Sequence, residues 1–541
     1  MDRRPPAMDN ALIAGRLDEM AALLELADAN PYTSRAYRRA AELVRGAPVP
    51  VEQLVRQGRA RELRGIGRGI EARLRELVET GEIAELEELR RTTPLELVAL
   101  GRLLGIGADR ALAIGTALGI STADELRQAA REGRLREVPG IGPKTEAKLV
   151  AALAREPGAP RQTVLLPRAR ALTEAIAAAV GGYPAGDARR WLDACARLAV
   201  VAASDDPSAA RARFADLPEI VAMLDADTGV TADGIPIALV VAPPNALGTA
   251  LVRATGPDEH VAALGPLPAA ASEEAVYAQL GLGLPPPEIR DGEPERDPPR
   301  LVELADLRGD LHVHTQWSDG RATVLEMGSA ARGRGYDYLA ICDHTPNVSV
   351  VPGLDGDALR RQGEEIAAAN EQLAPFRILR GVECDIRDDG GLDAPDDVLA
   401  ELDWVQLSLH RGQRTPRREL TARVTEAMRH PAVRSLNHPT KRLIGYRPPN
   451  ALDLERTIEV ALETGVALEV NGLPNRLDLK GEHVRLAIEA GVRITCASDA
   501  HSAQGLAAVE YAVHTARRGR ATAADVLNAR PLARLLARGN G

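Results

Sequence analysis

The strongest constraint on this chain is a pattern that recurs through its C-terminal half, where short apolar runs end in histidine, aspartate or glutamate. Segments of about ten to fifteen residues with helical periodicity separate these runs, which is the pattern of a parallel α/β fold. Strands that all deliver polar side chains at their carboxyl ends are typical of an α/β barrel, whose functional face lies there. The sequence therefore predicts a distorted (β/α)7 barrel over residues 306–530.

Nine side chains at or beside these strand ends are the predicted metal ligands. A lone histidine is usually a core or surface residue, but six of the ten histidines fall in this pattern together with three carboxylates. Imidazole mixed with carboxylate suits Zn²⁺, Mn²⁺ or Fe²⁺ better than Mg²⁺ or Ca²⁺. One ion cannot use nine ligands, so the sequence predicts two or three divalent ions. The predicted ligands are His312, His314, Asp319, His344, Glu383, His410, His438, Asp499 and His501.

Residues 8–155 contain short helical segments and one motif, Gly-Ile-Gly, that occurs three times. The motif resembles the helix-hairpin-helix element, in which glycines allow a tight turn and expose amides at a helix N-terminus to a phosphate. Such contacts hold the DNA backbone without reading its sequence. A single copy could merely cap a helix, but three copies favour DNA binding. The predicted contact residues are Gly65, Gly67, Gly105, Gly107, Gly140, Gly142 and Lys144.

Residues 160–290 mix helical stretches with strand-like runs and resemble, thinly, the palm of family X DNA polymerases through the segment 252–260. That family holds two Mg²⁺ ions on three aspartates, and its pattern places them on Arg197, Ala199 and Ala238. None of these three residues can bind magnesium. The resemblance implies a degenerate α/β nucleotidyltransferase-like palm without polymerase activity, followed by an exposed linker over 291–305.

The C-terminal motifs at 310–315, 318–320, 343–345 and 498–502 resemble the PHP (polymerase and histidinol phosphatase) family, in the form appended to bacterial family X polymerases. The resemblance implies phosphoester hydrolysis. It places one ion on His312, His314, Glu383 and Asp499. A second ion would share Glu383 and take His410, and a third would use Asp319, His344, His438 or His501. The predicted catalytic residues are Glu383, Asp499, His410, Arg411 and Arg476, the two arginines as phosphate clamps or as surface ion pairs.

Composition narrows the functional classes further. A chain of 541 residues is too long for one core, and a net charge of −10 argues against indiscriminate nucleic-acid binding. No apolar run is long enough to span a bilayer, and the four cysteines are scattered, which predicts a cytoplasmic protein without membrane association. No obligate protein partner is evident.

The preferred function is a metal-dependent DNA phosphoesterase that degrades gapped, nicked or other DNA from a 3′ end, or that processes ends and abasic sites during repair. Three alternatives stay open: a small-molecule phosphatase of the histidinol-phosphate type, a non-catalytic DNA-binding scaffold, and an active family X repair polymerase.

Overall fold

The computed structural model describes residues 10–26, 31–45, 51–63, 65–92, 94–106, 108–153, 163–348, 351–412 and 414–537. The chain forms two compact units. One comprises Met1–Arg189 and Cys195–Leu280, and the other comprises Arg190–Ala194 and Gly281–Gly541. No helix within the described ranges is both long and apolar enough to cross a membrane.

The N-terminal part of the first unit is helical throughout its described residues. Its helices bury leucine, valine, isoleucine and alanine in two clusters, one around Leu74 and one around Leu126. The helices are α1 (Asn10–Leu26), α2 (Pro31–Arg45), α3 (Val51–Arg56), α4 (Arg68–Thr80), α5 (Ala84–Thr92), α6 (Leu95–Leu103), α7 (Ala108–Leu118), α8 (Ala123–Arg131) and α9 (Pro143–Leu153).

The first glycine of each Gly-Ile-Gly motif has a left-handed backbone, with φ of 117° at Gly65, 70° at Gly105 and 85° at Gly140. An L-residue resists this conformation, so glycine permits the turn. In the first and third copies the isoleucine is buried, while the second glycine is exposed directly before α4 or α9. The hairpin loops are therefore anchored by one apolar side chain and open at the helix start. Gly107 lies outside the described residues.

The rest of the first unit is a five-stranded sheet with helices. The sheet has the order β2-β4-β7-β6-β5, and only β4 and β7 pair in parallel. The elements are β1 (Val164–Leu165), α10 (Leu166–Val180), β2 (Gly182–Ala185), α11 (Gly186–Arg189), β3 (Ala194–Cys195), β4 (Leu198–Ala203), α12 (Pro207–Ala215), β5 (Ala222–Met223), β6 (Thr228–Val230), β7 (Pro236–Ala242), α13 (Leu247–Thr255), α14 (Asp258–Ala263) and α15 (Glu273–Gln279).

The second unit contains seven parallel strands in simple sequence order, each joined to the next by a crossover. This confirms the predicted PHP-type barrel. The elements are β8 (Gly309–Val313), α16 (Val324–Gly333), β9 (Tyr338–Ile341), α17 (Gly356–Leu373), β10 (Arg377–Asp385), α18 (Asp396–Ala400), β11 (Trp404–Ser408), α19 (Arg417–Ala427), β12 (Val433–Leu436), α20 (Leu454–Thr464), β13 (Ala467–Asn471), α21 (Gly481–Glu489), β14 (Ile494–Ala497), α22 (Val509–Arg518) and α23 (Leu532–Leu536).

The second unit begins at Gly281, so it includes residues that the sequence assigned to the end of the palm. Glu288 is buried there and accepts hydrogen bonds from His514 Nδ1 at 2.7 Å and from Arg517 Nε at 2.6 Å. The segment Arg190–Ala194 also belongs to this unit, where Trp191 stacks on His514 with ring centroids 3.5 Å apart. The buried ion pairs of Glu288 thus fix this segment within the second unit.

The first and last strands of the barrel approach each other at two points. Val313, at the end of β8, forms a parallel bridge with Ala500, just beyond β14. Lower in the barrel, the buried side chain of Asn528 donates from Nδ2 to the carbonyls of Gly309 at 2.8 Å and Cys496 at 2.7 Å. Its Oδ1 accepts from the Cys496 amide at 3.0 Å. One amide side chain thus joins β8 to β14.

We predict that Asn528→Ala lowers the free energy of unfolding of the second unit by about 3 kcal/mol, because three buried backbone groups lose their partner. All three tryptophans of the chain, Trp191, Trp317 and Trp404, lie in this unit, so urea denaturation followed by tryptophan fluorescence reports on it alone. The exposed Gln372→Ala on α17 is the matched control and should shift stability by less than about 0.5 kcal/mol. Equal midpoints for the two variants would contradict the bridging role.

Candidate metal centre

The carboxyl ends of the barrel strands bring all nine predicted ligands into one place. His312 lies on β8 with His314 just after it, His344 follows β9, and Glu383 lies near the end of β10. The donor atoms form four overlapping groups, and within each group they lie within 4.8 Å of one another. The groups are His314, Asp319, His344 and His501; His312, His438 and Asp499; His312, His314 and Glu383; and His344, Glu383 and His410.

Glu383 is the central carboxylate. Its Oε2 lies 2.8 Å from His344 Nδ1, and its Oε1 lies 3.1 Å from His438 Nε2. His312 Nε2 and His314 Nε2 are each 3.6 Å from Oε2, and His410 Nε2 is 3.7 Å from Oε1. One carboxylate surrounded by five imidazoles is placed to be shared between neighbouring ions.

Asp319 forms a second focus, in the loop after β8. Its Oδ2 lies 3.2 Å from His501 Nε2 and 3.5 Å from His344 Nε2. Asp499 contacts the histidines at the end of β8, because its Oδ1 lies 3.3 Å from His314 Nε2 and 3.7 Å from His312 Nε2. The ligands therefore form a continuous cluster instead of a single four-coordinate site.

The donor set fits metal ions better than it fits hydrogen bonding within the protein. His312 Nε2 and His314 Nε2 lie 3.1 Å apart, and both atoms belong to the same candidate group with Glu383. The ring nitrogens Nδ1 of His314 and His438 are buried and have no hydrogen-bond partner among the described residues. Buried polar atoms normally have a partner, so several unsatisfied imidazole nitrogens in one place indicate a site for cations.

The charges of the cluster keep its carboxylates ionised. Burial by itself raises the pKa of Glu383, but the charges of His344 and His410 outweigh burial and hold this pKa well below its usual range. Burial also raises the pKa of Asp319, but hydrogen bonds with His344 and His501 outweigh burial and lower this pKa. Ionised carboxylate is the form that binds a cation.

Several polar residues that the sequence interpretation did not select hold the ligands in position. Glu469 Oε2 lies 3.0 Å from His312 Nδ1, which leaves His312 Nε2 free to act as the donor atom. Asp385 Oδ1 lies 3.3 Å from His410 Nδ1 and also accepts from the His410 amide at 2.8 Å. A usable signal was present for Asp385, because it stands two residues after Glu383 on the same strand face.

Two asparagines orient the carboxylates of the cluster. Asn437 Nδ2 donates to Glu383 Oε1 at 2.8 Å, and Asn471 Nδ2 donates to Asp499 Oδ2 at 2.9 Å. Asn437 directly precedes His438, and Asn471 ends β13. The strand-end pattern would have found both residues if amides had been included with histidines and acids.

The two arginines that were predicted to clamp phosphate differ in their surroundings. Arg476 Nη1 lies 3.4 Å from Asp499 Oδ2, and Arg476 Nε is buried without a hydrogen-bond partner in the described structure. Arg411 is exposed, and its backbone carbonyl accepts from Arg423. The structure thus brings Arg476 against a predicted metal ligand and leaves the side chain of Arg411 at the surface.

We predict that Glu469→Gln weakens the binding of Mn²⁺ by about tenfold to a hundredfold, because the charge that orients His312 and increases its basicity is lost. Isothermal titration of metal-stripped protein measures the affinity directly. Glu489→Gln, on the exposed face of α21 where Glu489 pairs with Arg485, is the control and should leave the affinity unchanged. The same affinity in Glu469→Gln as in the control would show that Glu469 does not support the site.

Comparison with known proteins agrees with this architecture. The model of the Helix-hairpin-helix domain matches residues 8–83, and that of the SAM-like Helix-hairpin-helix tandem matches residues 98–155. These matches confirm the helix-hairpin-helix elements that the repeated glycine motif predicted. The C-terminal region is similar to a probable phosphatase of Acetivibrio thermocellus, with 34% identity over 36% of this chain and 78% of that protein. A probable phosphatase of Caldanaerobacter subterraneus subsp. tengcongensis is 31% identical over 36% of this chain and 75% of its own length.

A further similarity covers both units. The chain is 33% identical to the DNA polymerase/3'-5' exonuclease PolX of Bacillus subtilis (strain 168), over 95% of this chain and 96% of that protein. The shared length includes the helix-hairpin-helix region, the five-stranded sheet and the barrel. The chain therefore belongs to the PolX family, the bacterial family X DNA polymerases with a C-terminal PHP domain, and it is a hydrolase of phosphoester bonds.

Proposed function

We propose that this chain is a metal-dependent nuclease that shortens DNA from the 3′ end at gaps and nicks, and that the barrel is its only catalytic centre. The observation that supports this proposal best is the arrangement around Glu383, one ionised carboxylate within 3.7 Å of five imidazoles. Such a cluster suits two or three ions of Zn²⁺, Mn²⁺ or Fe²⁺, and ions of this kind can promote phosphoester hydrolysis.

The residues of the cluster would be shared among the ions as follows. His312, His314, Glu383 and Asp499 would hold one ion, Glu383 and His410 a second, and Asp319 with His344 and His501 a third. His438, which the sequence offered for the third ion, groups instead with His312 and Asp499. Bound divalent ions supply positive charge that lowers the pKa of water and stabilises negative charge on the phosphate and the leaving oxygen. Arg476 would hold a non-bridging phosphate oxygen through its free Nε. Arg411, at the surface, would contact a phosphate farther along the strand.

The N-terminal helices would hold the DNA backbone. Gly67 and Gly142 are exposed directly before α4 and α9, and a Cβ at either glycine would meet nothing within 4 Å. Lys144, also exposed, lies in the first turn of α9, where amides and a cation favour the same anion. A small phosphate ester needs no such surface, so these loops favour DNA over a histidinol-phosphate type of substrate.

The proposal includes an inactive palm. Ala199 on β4 and Ala238 on β7 are direct partners across the two parallel strands, the arrangement in which paired carboxylates would share ions. Arg197, at the remaining expected position, donates to the carbonyl of Gly256 at 3.0 Å. Side chains of alanine and arginine supply no ligand for magnesium.

The nearby aspartates are engaged elsewhere. Asp187 Oδ2 accepts from the amides of Ala196 and Arg197, each at 2.8 Å. Asp206 caps α12 by accepting from the amide of Ala209 at 3.0 Å. Among the described residues of the first unit, no group of three potential ligands gathers at one point. These contacts support a palm that serves as a scaffold.

A 5′-labelled gapped duplex with Mn²⁺ tests the nuclease. We expect the labelled strand to shorten, and we expect the double variant His344→Ala with Asp499→Ala to lose at least about a thousandfold in rate, since both alter the ion sites. His430→Ala with Asp396→Ala is the matched control, because this pair lies 3.4 Å apart on the surface of the same unit.

Persistence of shortening in the His344 and Asp499 double variant would remove the barrel as the active site. Intact DNA together with rapid hydrolysis of histidinol phosphate would instead favour the small-molecule phosphatase. DNA binding without hydrolysis of either substrate would favour a scaffold.

The inactive palm is tested in the nuclease-deficient double variant, in which degradation cannot hide synthesis. With the same duplex, all four deoxynucleotides and either Mg²⁺ or Mn²⁺, we expect no primer extension on a denaturing gel. A family X polymerase with its aspartates intact is the positive control. Extension by even one templated nucleotide would show that the palm has a working site.

A further inference from the structure

Lys441 is an unusual residue in the loop that follows β12. Its side chain is only 7% exposed, and its backbone is left-handed with φ of 51°. Within the described part of the chain, its ammonium group makes no hydrogen bond or ion pair. A buried lysine without a partner is costly, so its presence needs an explanation.

The loop holds this lysine firmly. The Lys441 amide donates to the carbonyl of His438 at 3.1 Å, and the Lys441 carbonyl accepts from Arg447 Nε at 3.0 Å. Thr440 Oγ1 donates to Asp478 Oδ1 at 2.8 Å. Contacts on both sides thus maintain a backbone conformation that a lysine resists, which argues against a chance orientation of the loop.

The loop of Lys441 lies along the segment that carries Arg476, because the Ile444 amide donates to the Asn475 carbonyl at 2.8 Å and Thr440 Oγ1 donates to Asp478. In agreement with this packing, burial and the charge of Arg476 lower the pKa of Lys441 to about 8, while Glu383 and Asp499 act in the opposite direction. Lys441 forms no ion pair with either carboxylate, so it does not take the place of a metal ion among the ligands. Arg476 is also incompletely paired, because its Nε is buried and has no partner in the described structure.

Two neighbouring cations that each keep an unused N–H donor favour an anion that lies between them, even though Arg476 already contacts Asp499 through Nη1. An anion with several oxygens can accept from both groups at once, as phosphate commonly does from lysine and arginine. The carboxylates of the cluster are already oriented by asparagines and imidazoles, which leaves the anion to be supplied from outside.

We propose that Lys441 and Arg476 form a phosphate subsite beside the metal cluster, in which both cations hold non-bridging oxygens of the phosphate that is to be cleaved. The inference rests on the proposed function for the identity of the substrate, but the subsite itself requires only that a phosphate binds. Inorganic phosphate is therefore a sufficient probe.

The experiment measures binding of inorganic phosphate to Mn²⁺-loaded protein by isothermal titration, and separately its inhibition of DNA cleavage. Lys441→Met removes the charge and keeps a long side chain, whereas Lys441→Gly removes the charge and relieves the left-handed backbone. We expect both variants to bind phosphate about tenfold to a hundredfold more weakly. Lys441→Arg should restore binding to within about threefold, since it keeps the cation.

Metal content, measured by elemental analysis, should be the same in all four proteins. Unchanged phosphate affinity in the methionine and glycine variants, or no phosphate binding by the unaltered protein, would overturn the subsite. Loss of metal from the methionine variant would also overturn it, because Lys441 would then support the ligands. Failure of the unaltered protein to cut DNA, together with lysine-dependent phosphate binding, would reject the nuclease and leave the subsite standing.

Discussion

The near-closure of the seven-stranded sheet is the constraint on which the rest of the second unit depends. The order of the strands follows the sequence, so β8 and β14 are the two edges of the sheet. His312 lies on β8, His314 follows it, and Asp499 and His501 follow β14. The bridge between Val313 and Ala500 and the three hydrogen bonds of Asn528 bring these edges together. Only then can His314 and Asp499 lie 3.3 Å apart, although they stand at opposite ends of the domain in sequence. Assembly of the candidate metal cluster therefore depends on closure of the barrel.

The cluster contains several buried charged groups, whose ionised forms burial in a protein interior disfavours. Burial disfavours an ionised Glu383, and the imidazoles around it reverse that effect. A further layer of buried groups, Glu469, Asp385 and two asparagines, turns the ring nitrogens and carboxylate oxygens toward the centre. As core residues without a partner these groups would destabilise the fold, because burial of each polar group carries a desolvation cost. Their contacts orient His312, His410, Glu383 and Asp499, and the unpaired imidazole nitrogens that remain mark the candidate site for cations.

The carboxylates of the two units have different surroundings. In the first unit Ala199 and Ala238 are partners across parallel strands, and the nearby Asp187 and Asp206 accept hydrogen bonds from backbone amides. The second unit concentrates ionised carboxylates, imidazoles and two incompletely paired cations at the carboxyl ends of its barrel strands. On this view the phosphate chemistry of the chain lies in the barrel, with Lys441 and Arg476 on the anion-binding side of the metals. The helix-hairpin-helix loops complement it with exposed amides at helix starts.

The sequence alone predicted the fold of the barrel and the residues that gather in the candidate metal cluster, because strand length, alternation and the residue at each strand end are local properties. It also identified the hairpin glycines, since a left-handed turn at Gly65 or Gly140 is encoded by glycine itself. It did not reveal Asp385, Glu469 or the buried Lys441 as parts of the site, because an acid or a lysine acquires such a role only from its neighbours. The boundary at Gly281 and the burial of Glu288 were likewise decided by the tertiary structure, in which His514 and Arg517 pair with Glu288. Distances between residues far apart in sequence depend on how the strands close, and no local pattern encodes that closure.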